Sequence, residues 1–158
     1  MPFPDYVKFI DFLNEHRVKY LIVGAQALAH HARPRATKDL DIFIEPTREN
    51  GKRILAVLAA FFKAETGYRV DDLMEPGTIV QLGVAPVRID LMTQIAGITQ
   101  FADAWKRRVD GEFGPARAYF ISLEDLITAK EASDRPQDRA DVRVLKRART
   151  ESRARKKN

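Results

Sequence analysis

Two carboxylates inside an apolar run constrain this chain more than any other feature. The stretch RATKDLDIFIE, residues 35–45, places Asp39 and Asp41 two positions apart among apolar, β-branched residues. Side chains alternate along a β-strand, so both acids would lie on one face together with Phe43, and Leu40, Ile42 and Ile44 on the other. Neighbouring carboxylates repel each other unless a cation or proton lies between them. The stretch therefore predicts a core strand that presents paired anions.

A later strand adds a third carboxylate. TIVQLG and VRIDLM both have the composition of strands, and the short connection between them suits a hairpin. Alternation along VRIDLM puts Arg88 and Asp90 on the polar face. Two acids from one strand and one from its neighbour can hold divalent cations in the geometry used for phosphoryl transfer. Mg²⁺ or Mn²⁺ suits such oxygen ligands, so Asp39, Asp41 and Asp90 are predicted to form a metal site.

A glycine turn supplies a second candidate site. KYLIVG predicts a buried strand that ends at Gly24, and the alanine-rich AQALAHHA that follows favours helix. A strand that runs directly into a helix offers backbone amides and a positive helix end to phosphates. Gly24 and Ala25 are therefore predicted to bind a triphosphate. Lys38, just before the acidic strand, can neutralise a phosphate or belong to a solvated loop.

The remaining elements alternate between helix and strand, which predicts a single α/β domain. With 158 residues and 45% hydrophobic content, the chain is long enough for one core. The absence of cysteine excludes disulfides and cysteine-based metal sites. The spacing of apolar residues predicts further helices over 5–16, 48–63 and 99–108, from Ser122 to Ser133, and after Pro136. Asp5 is the predicted N-cap of the first of these helices, and Thr47 of the second. The segment ARAYFI is predicted to form a strand.

Positive charge is concentrated at the end of the sequence. The chain carries a net charge of +5, and Lys and Arg dominate residues 143–158. We expect a domain over 1–146 and a basic, mobile tail over 147–158, which either attracts RNA or DNA or is a solvated end. The N-terminus lacks the pattern of a signal peptide, and no apolar run is long enough to cross a bilayer. These features predict a cytoplasmic protein.

These motifs together resemble a known superfamily. VGAQALAHHARPRATKDLDI followed by RIDL is similar to the nucleotidyltransferase signature: a glycine turn, an acid-x-acid strand, and a third acid on a later strand. LEDLITAKEASDRPQDRADVRVL resembles the C-terminal helices of small AbiEii-like bacterial nucleotidyltransferases, some of which are toxins of toxin-antitoxin pairs. The resemblance covers about 18–92 and 120–146. It implies a polymerase-β-like fold, with a mixed, twisted sheet flanked by helices.

The resemblance also implies an activity. It is the metal-dependent transfer of a nucleoside monophosphate from a nucleoside triphosphate to a hydroxyl of tRNA, another RNA or a protein, with an antitoxin as a further partner. Asp39, Asp41 and Asp90 match the metal-binding acids, and Asp90 can also act as general base. Gly24 matches the phosphate turn, and Lys130 a lysine that faces the phosphates. Asp138 and Asp141 match later acids without an assigned role.

Two alternatives stand beside these assignments. The charges of the KEASDR segment, including Lys130, are also typical of a solvated helix face. Ala25 stands where many relatives have Ser or Gly, so it offers no hydroxyl to a phosphate. The competing hypothesis is a catalytically degenerate nucleotidyltransferase fold that binds nucleic acid or a partner protein.

Overall fold

The computed structural model describes residues 2–33, 39–83 and 88–157. Its elements follow the predicted alternation of helix and strand. They are α1 Pro4–Glu15, β1 Tyr20–Val23, α2 Gly24–His31, β2 Asp39–Ile44, α3 Arg48–Phe62, a 3-10 turn Val70–Leu73, β3 Ile79–Leu82, β4 Arg88–Met92, α4 Phe101–Lys106, β5 Val109–Phe113, β6 Ala116–Phe120, α5 Leu123–Ser133 and α6 Pro136–Lys157.

One six-stranded sheet organises the chain, in the order β3-β4-β2-β1-β6-β5. β2 pairs antiparallel with β1 and parallel with β4, and β3 joins β4 antiparallel as the predicted hairpin. β6 pairs parallel with β1 and antiparallel with β5. The sheet is therefore mixed and flanked by helices, which confirms the predicted α/β class. The order also makes the two acid-bearing strands immediate neighbours.

Alternation along β2 separates core from site. Leu40, Ile42 and Ile44 are fully buried, whereas Asp39 is exposed and Asp41 is half-buried on the other face. The four residues of β1 are all buried, as a central strand requires. In α1, the residues at helical spacing (Tyr6, Phe9, Ile10 and Leu13) are buried as well. The apolar pattern thus fixes which face of β2 is left for polar groups.

Capping side chains begin two of the helices. The Thr47 hydroxyl accepts a hydrogen bond from Asn50 N–H, and the Ser122 hydroxyl accepts one from Asp125 N–H, as predicted. The prediction of Asp5 as the N-cap of α1 was wrong. Phe3 is the N-cap and Pro4 begins the helix, because proline suits the first helical position.

Strand β5 was missed by the sequence reading. Its sequence, VDGEF, is largely polar, and only Phe113 is buried. β5 forms because it pairs with β6 along its length. A side chain at Gly111 would collide with the ring of His30, which stacks on Phe120 with ring centroids 4.0 Å apart. The strand is thus defined by its neighbours rather than by its own composition.

The last helix, α6, has 22 residues, about 33 Å at 1.5 Å per residue. Residues after Leu145 contribute no buried side chain, but Arg149 donates hydrogen bonds to the Glu124 carboxylate of α5. The predicted boundary at residue 146 falls inside this helix and stays a prediction. Among the described helices, none has the length and apolar character to cross a membrane.

Candidate active site

The parallel pairing of β2 and β4 brings the three predicted acids together. Asp41 lies directly opposite Asp90, and Asp39 lies opposite Arg88. Residues opposite each other in register project from the same face of a sheet, so the three carboxylates share that face. We call Asp39, Asp41 and Asp90 the acid cluster.

Asp41 is partly withdrawn from water and lies beside two other acids. Burial, together with the negative charges of Asp90 and Asp39, raises the pKa of Asp41 to about 6, against the opposing charges of Arg88 and Lys130. Its ordinary value is 3.8. Burial is the largest of these effects, and an added cation would stabilise the ionised form.

The glycine turn lies against the acid cluster. Val23 is paired with Asp41, and the next residue, Gly24, has a positive φ of 65°. A Cβ at Gly24 would collide with Oδ2 of Asp41 and lie only 3.1 Å from that side chain's Cβ and Cγ. The position thus needs glycine for two reasons, backbone conformation and close approach. The turn and the acid pair form one site.

The N-terminus of α2 opens beside these acids. α2 begins at Gly24, and within the described part of the chain no side chain caps it. The first amides of a helix have no partner within the helix, so those at Gly24 and Ala25 are free of that competition for a phosphate oxygen. Both residues are half-buried. The predicted phosphate turn and the predicted acids are therefore adjacent.

Arg88 is the site residue that the sequence reading missed. Its guanidinium binds the Asp90 carboxylate at two points, with Nε 3.3 Å from Oδ1 and Nη2 3.2 Å from Oδ2. The Tyr6 hydroxyl donates to Arg88 C=O and accepts from Arg88 N–H, both at 3.0 Å. The sequence signal that could have indicated this pair is the spacing Arg-x-Asp, which places both side chains on one face of a strand.

Lys130 lies in a second group of charges, between α5 and α6. Its Nζ is 2.9 Å from Oδ2 of Asp141 and 3.4 Å from Oδ1 of Asp138. Only 11% of the Lys130 side chain is exposed, and the two acids are almost fully buried, so the solvated-face alternative was wrong for Lys130, although the other charges of KEASDR are exposed. We call the residues of this group the hairpin charge cluster; its members are Lys130, Arg135, Gln137, Asp138 and Asp141.

Hydrogen-bond donors and positive charges together have a larger effect on the pKa of Asp138 than burial has. Burial raises the pKa of Asp138, but hydrogen bonds from Arg135 and the charges of Lys130 and Arg135 leave it below its ordinary value. Lys130 also lowers the pKa of Asp41, and Asp41 raises that of Arg135. The hairpin charge cluster therefore lies within electrostatic range of the acid cluster. Lys38, the remaining predicted phosphate ligand, lies outside the described residues.

The chemistry of the acid cluster fits a hard divalent cation. Its donors are carboxylate oxygens only, which Mg²⁺ and Mn²⁺ prefer, and the raised pKa of Asp41 marks a shortage of positive charge. Over residues 2–33, 39–83 and 88–157, no three His, Cys, Asp or Glu side chains converge as a ready-made metal cage. Mg²⁺ needs no such cage, since it binds through few carboxylates plus phosphate and water oxygens.

A comparison with protein families identifies the chain. The profile of a family described as "Nucleotidyltransferase of unknown function (DUF6036)" matches residues 7–147. The chain belongs to this family. The match includes both acid-bearing strands, the glycine turn and most of α6. The protein is therefore a nucleotidyltransferase by family, whereas the AbiEii-like subtype is not shown by this match.

Solved structures agree in fold. The antibiotic-resistance factor ANT(2'')-Ia is 14% identical, with a TM-score of 0.56 over 96% of this chain and 90% of its own. A candidate nucleotidyltransferase from Thermotoga maritima is 16% identical, with a TM-score of 0.54 over 100% of this chain and 97% of its own. At such identities the likeness concerns the fold alone. Among curated proteins, no sequence relative matches.

Proposed function

We propose that this nucleotidyltransferase moves a nucleoside monophosphate from a nucleoside triphosphate to a hydroxyl acceptor, with Mg²⁺ or Mn²⁺ as cofactor. The observation that carries the proposal is the contact between the glycine turn and Asp41, in register with Asp90. It supports the proposal because a helix N-terminus, which can bind phosphate, lies beside a carboxylate, which can bind a cation. A turn that only connected a strand to a helix would not need a glycine packed against a carboxylate whose pKa is raised.

Each residue then has a defined task. The amides at Gly24 and Ala25 bind phosphate oxygens of the triphosphate. Asp39 and Asp41, with Asp90, would hold the metal, which when bound stabilises negative charge on the transferred phosphate and on the leaving pyrophosphate. Lys38 and Lys130 add positive charge near the phosphates.

The chemical step balances with one proton acceptor. The acceptor oxygen forms a bond to the α-phosphorus, and the bond from that phosphorus to the bridging oxygen breaks. Pyrophosphate leaves with the electron pair, and the hydroxyl proton passes to the Asp90 carboxylate. Asp90 is buried on the face it shares with Asp41, which supports this role.

Calorimetric titration tests the nucleotide half of the proposal without knowledge of the acceptor. Each of the four ribonucleoside triphosphates is titrated, with and without Mg²⁺, into wild type, Asp41→Asn and Asp71→Asn. Asp71 is an exposed acid of the 3-10 turn and serves as the control. We expect Mg²⁺-dependent binding that Asp41→Asn abolishes and Asp71→Asn retains. Absent binding, or binding indifferent to Mg²⁺ and Asp41, would favour the degenerate fold instead.

We propose RNA, tRNA included, as the acceptor class, because α6 carries an exposed basic surface. Arg143, Lys146 and Arg147 are exposed and lie at i, i+3 and i+4, so they form one patch. The start of α6 lies within electrostatic range of Asp41 through Arg135.

Salt dependence tests the RNA proposal. We expect the triple change of Arg143, Lys146 and Arg147 to Gln to weaken RNA binding and to reduce the slope of log affinity against log salt by about one per lost phosphate contact. A matched triple change of Lys8, Arg48 and Lys52, three exposed cations on other helices, should leave the slope unchanged. Equal slopes in both variants would exclude this patch as the RNA surface.

A toxin role belongs to the same proposal and rests on the AbiEii-like resemblance. Nucleotidyl transfer to tRNA would arrest growth when the protein is expressed, and an antitoxin protein would be needed to prevent it. Growth arrest by wild type but not by Asp41→Asn is the expected result. Arrest by both variants would separate any toxicity from the transfer site.

A further inference from the structure

We propose that Arg88 is an internal counter-ion of the acid cluster, which occupies the carboxylate of Asp90 until a divalent cation displaces it. The inference rests on the proposed function, in that it concerns the same site. It adds a residue that controls cation binding without being a metal ligand itself.

The geometry of the pair leaves little of Asp90 for another cation. Both carboxylate oxygens accept a hydrogen bond from the guanidinium, and the Asp90 side chain is only 9% exposed. A cation that binds Asp90 must therefore replace at least one of these bonds. Arg88 is 42% exposed, so its guanidinium has solvent into which it can move.

The backbone of Arg88 is fixed independently of its side chain. The fully buried Tyr6 bonds both backbone polar groups of Arg88 through one hydroxyl. Release of the guanidinium from Asp90 would therefore not require β4 to shift. A fixed backbone with a movable charged group is what a displaceable counter-ion needs.

Charge balance gives the reason for such a residue. Three carboxylates on one face repel one another, and Arg88 is a cation within the same pair of strands, opposite Asp39 and bonded to Asp90. Arg88 also lowers the pKa of Asp41. A divalent cation would take over this neutralisation. The freed guanidinium would remain beside the site, where phosphate oxygens are its natural partners.

A second arginine–aspartate pair provides a matched control. Arg107 of the segment after α4 binds Asp125 at two points, with Nε 2.9 Å from Oδ2 and Nη2 3.0 Å from Oδ1. The side-chain exposures, 52% and 9%, are close to those of Arg88 and Asp90. Asp125 is on α5, away from the paired strands that carry the acid cluster. The two pairs are similar in geometry and burial but differ in their surroundings.

Manganese binding is the deciding measurement, with free Mn²⁺ followed by electron paramagnetic resonance and no nucleotide present. We expect Arg88→Gln to bind Mn²⁺ about tenfold more tightly than wild type, since a charge-assisted two-point bond no longer competes. Arg88→Lys should be intermediate, because lysine keeps the charge but not the two-point geometry. Arg107→Gln should match wild type, and Asp41→Asn should lose the binding.

The outcomes separate this inference from the proposed function. In one outcome, Arg88→Gln binds Mn²⁺ more tightly than wild type does, but wild type shows no Mg²⁺-dependent nucleotide binding. This outcome would support Arg88 as a counter-ion and contradict the proposed nucleotide site. Nucleotide binding by wild type with equal Mn²⁺ affinity in wild type and Arg88→Gln would overturn the counter-ion alone. Absence of Mn²⁺ binding in both proteins would overturn the counter-ion, while the proposed function would still be decided by the nucleotide titration, in which phosphate oxygens complete the metal site.

A second measurement observes the Arg88–Asp90 pair directly in the wild-type protein. The Nε–H resonance of Arg88, assigned by its loss in Arg88→Lys, reports the bond to Asp90 in the wild-type protein. Addition of Mg²⁺ should shift this resonance or broaden it by faster exchange, while that of Arg107 stays in place. An Arg88 resonance unchanged at saturating Mg²⁺ would show that the pair persists, and would overturn the inference.

Discussion

The acid cluster on β2 and β4 and the hairpin charge cluster on α5 and α6 each contain an aspartate whose pKa is shifted by its surroundings, Asp41 upward and Asp138 downward. At Asp41, burial and two neighbouring acids raise the pKa to about 6. At Asp138, burial acts in the same sense, but Arg135 and Lys130 more than offset it, and the pKa falls below its ordinary value. Burial is common to both clusters. The supply of hydrogen-bond donors and cations therefore sets the direction of each pKa shift.

Asparagine in place of aspartate is nearly isosteric, so the same change at three positions tests this comparison. The largest effect is expected for Asp138→Asn. It leaves Lys130 and Arg135 short of a buried carboxylate, which should lower the free energy of unfolding by about 3 kcal/mol. Urea unfolding measures the change. A loss below about 1 kcal/mol would mean that the carboxylate of Asp138 and the cations around it contribute no more than an exposed ion pair does.

Asp41→Asn should act in the opposite direction when no metal is present. It removes a buried charge that its surroundings do not balance, so we expect a gain of about 2 kcal/mol in the free energy of unfolding. Urea unfolding in the presence of a chelator measures this gain. Destabilisation instead would indicate that a partner of the ionised carboxylate, rather than repulsion, dominates at Asp41.

The advantage of Asp41→Asn should depend on pH in a defined direction. Between pH 3.8 and about 6 the folded wild type binds more protons at Asp41 than the unfolded chain does. The stability that Asp41 contributes is therefore fully present below pH 3.8 and is lost as the pH rises through about 6. The difference between variant and wild type should grow over this window and level off above it. A constant difference from pH 4 to 7 would contradict the raised pKa.

Gly24→Ala tests the contact between the turn and the acid cluster, with an expected loss of about 1 to 2 kcal/mol from the left-handed backbone alone. The collision with Asp41 adds to this loss, so Gly24→Ala should cost less in an Asp41→Ala background. Thermal or urea unfolding of the four proteins of the cycle measures the coupling. Additive effects would show that the turn relaxes away from Asp41.

Asp134→Asn is expected to have the smallest effect, below about 1 kcal/mol. Asp134 pairs with Arg139 at 2.9 Å, but both side chains are more than half exposed. Water screens such a pair, and asparagine tolerates the left-handed conformation of this residue. The same urea series provides the measurement. A loss as large as that of Asp138→Asn would show that the position in the α5–α6 connection, and not burial, sets the cost.

Local sequence was sufficient for the parts of the site that one element carries. Alternation placed Asp39 and Asp41 together on β2, and Arg88 with Asp90 on β4, because a strand repeats every two residues. The glycine turn followed from the junction of strand and helix. The side chains that an element presents on its own face could thus be placed before the fold was known, although the bond between Arg88 and Asp90 was not predicted.

Features that depend on distant partners could not be assigned in this way. The parallel pairing of β2 with β4 needs a crossover through α3, and nothing in either strand specifies its neighbour. Lys130 has the local pattern of a solvated lysine, and only the packing of α5 on α6 buries it against Asp141. Strand β5 was not predicted for the same reason, since its sequence is polar and β6 is the strand with which it pairs.

The position of Arg88 two residues before Asp90 also bears on how the chain folds. Asp41 and Asp90 are distant in sequence, so their repulsion arises only when β2 and β4 pair, a non-local step that is slow in folding. Arg88 is carried by the same strand as Asp90 and can neutralise it locally before that step. A pair within β4 does not depend on the pairing of the strands, so the repulsion between Asp41 and a paired Asp90 is weaker than that between Asp41 and an unpaired one. A residue that controls cation binding in the finished protein would in this way also ease the assembly of the site.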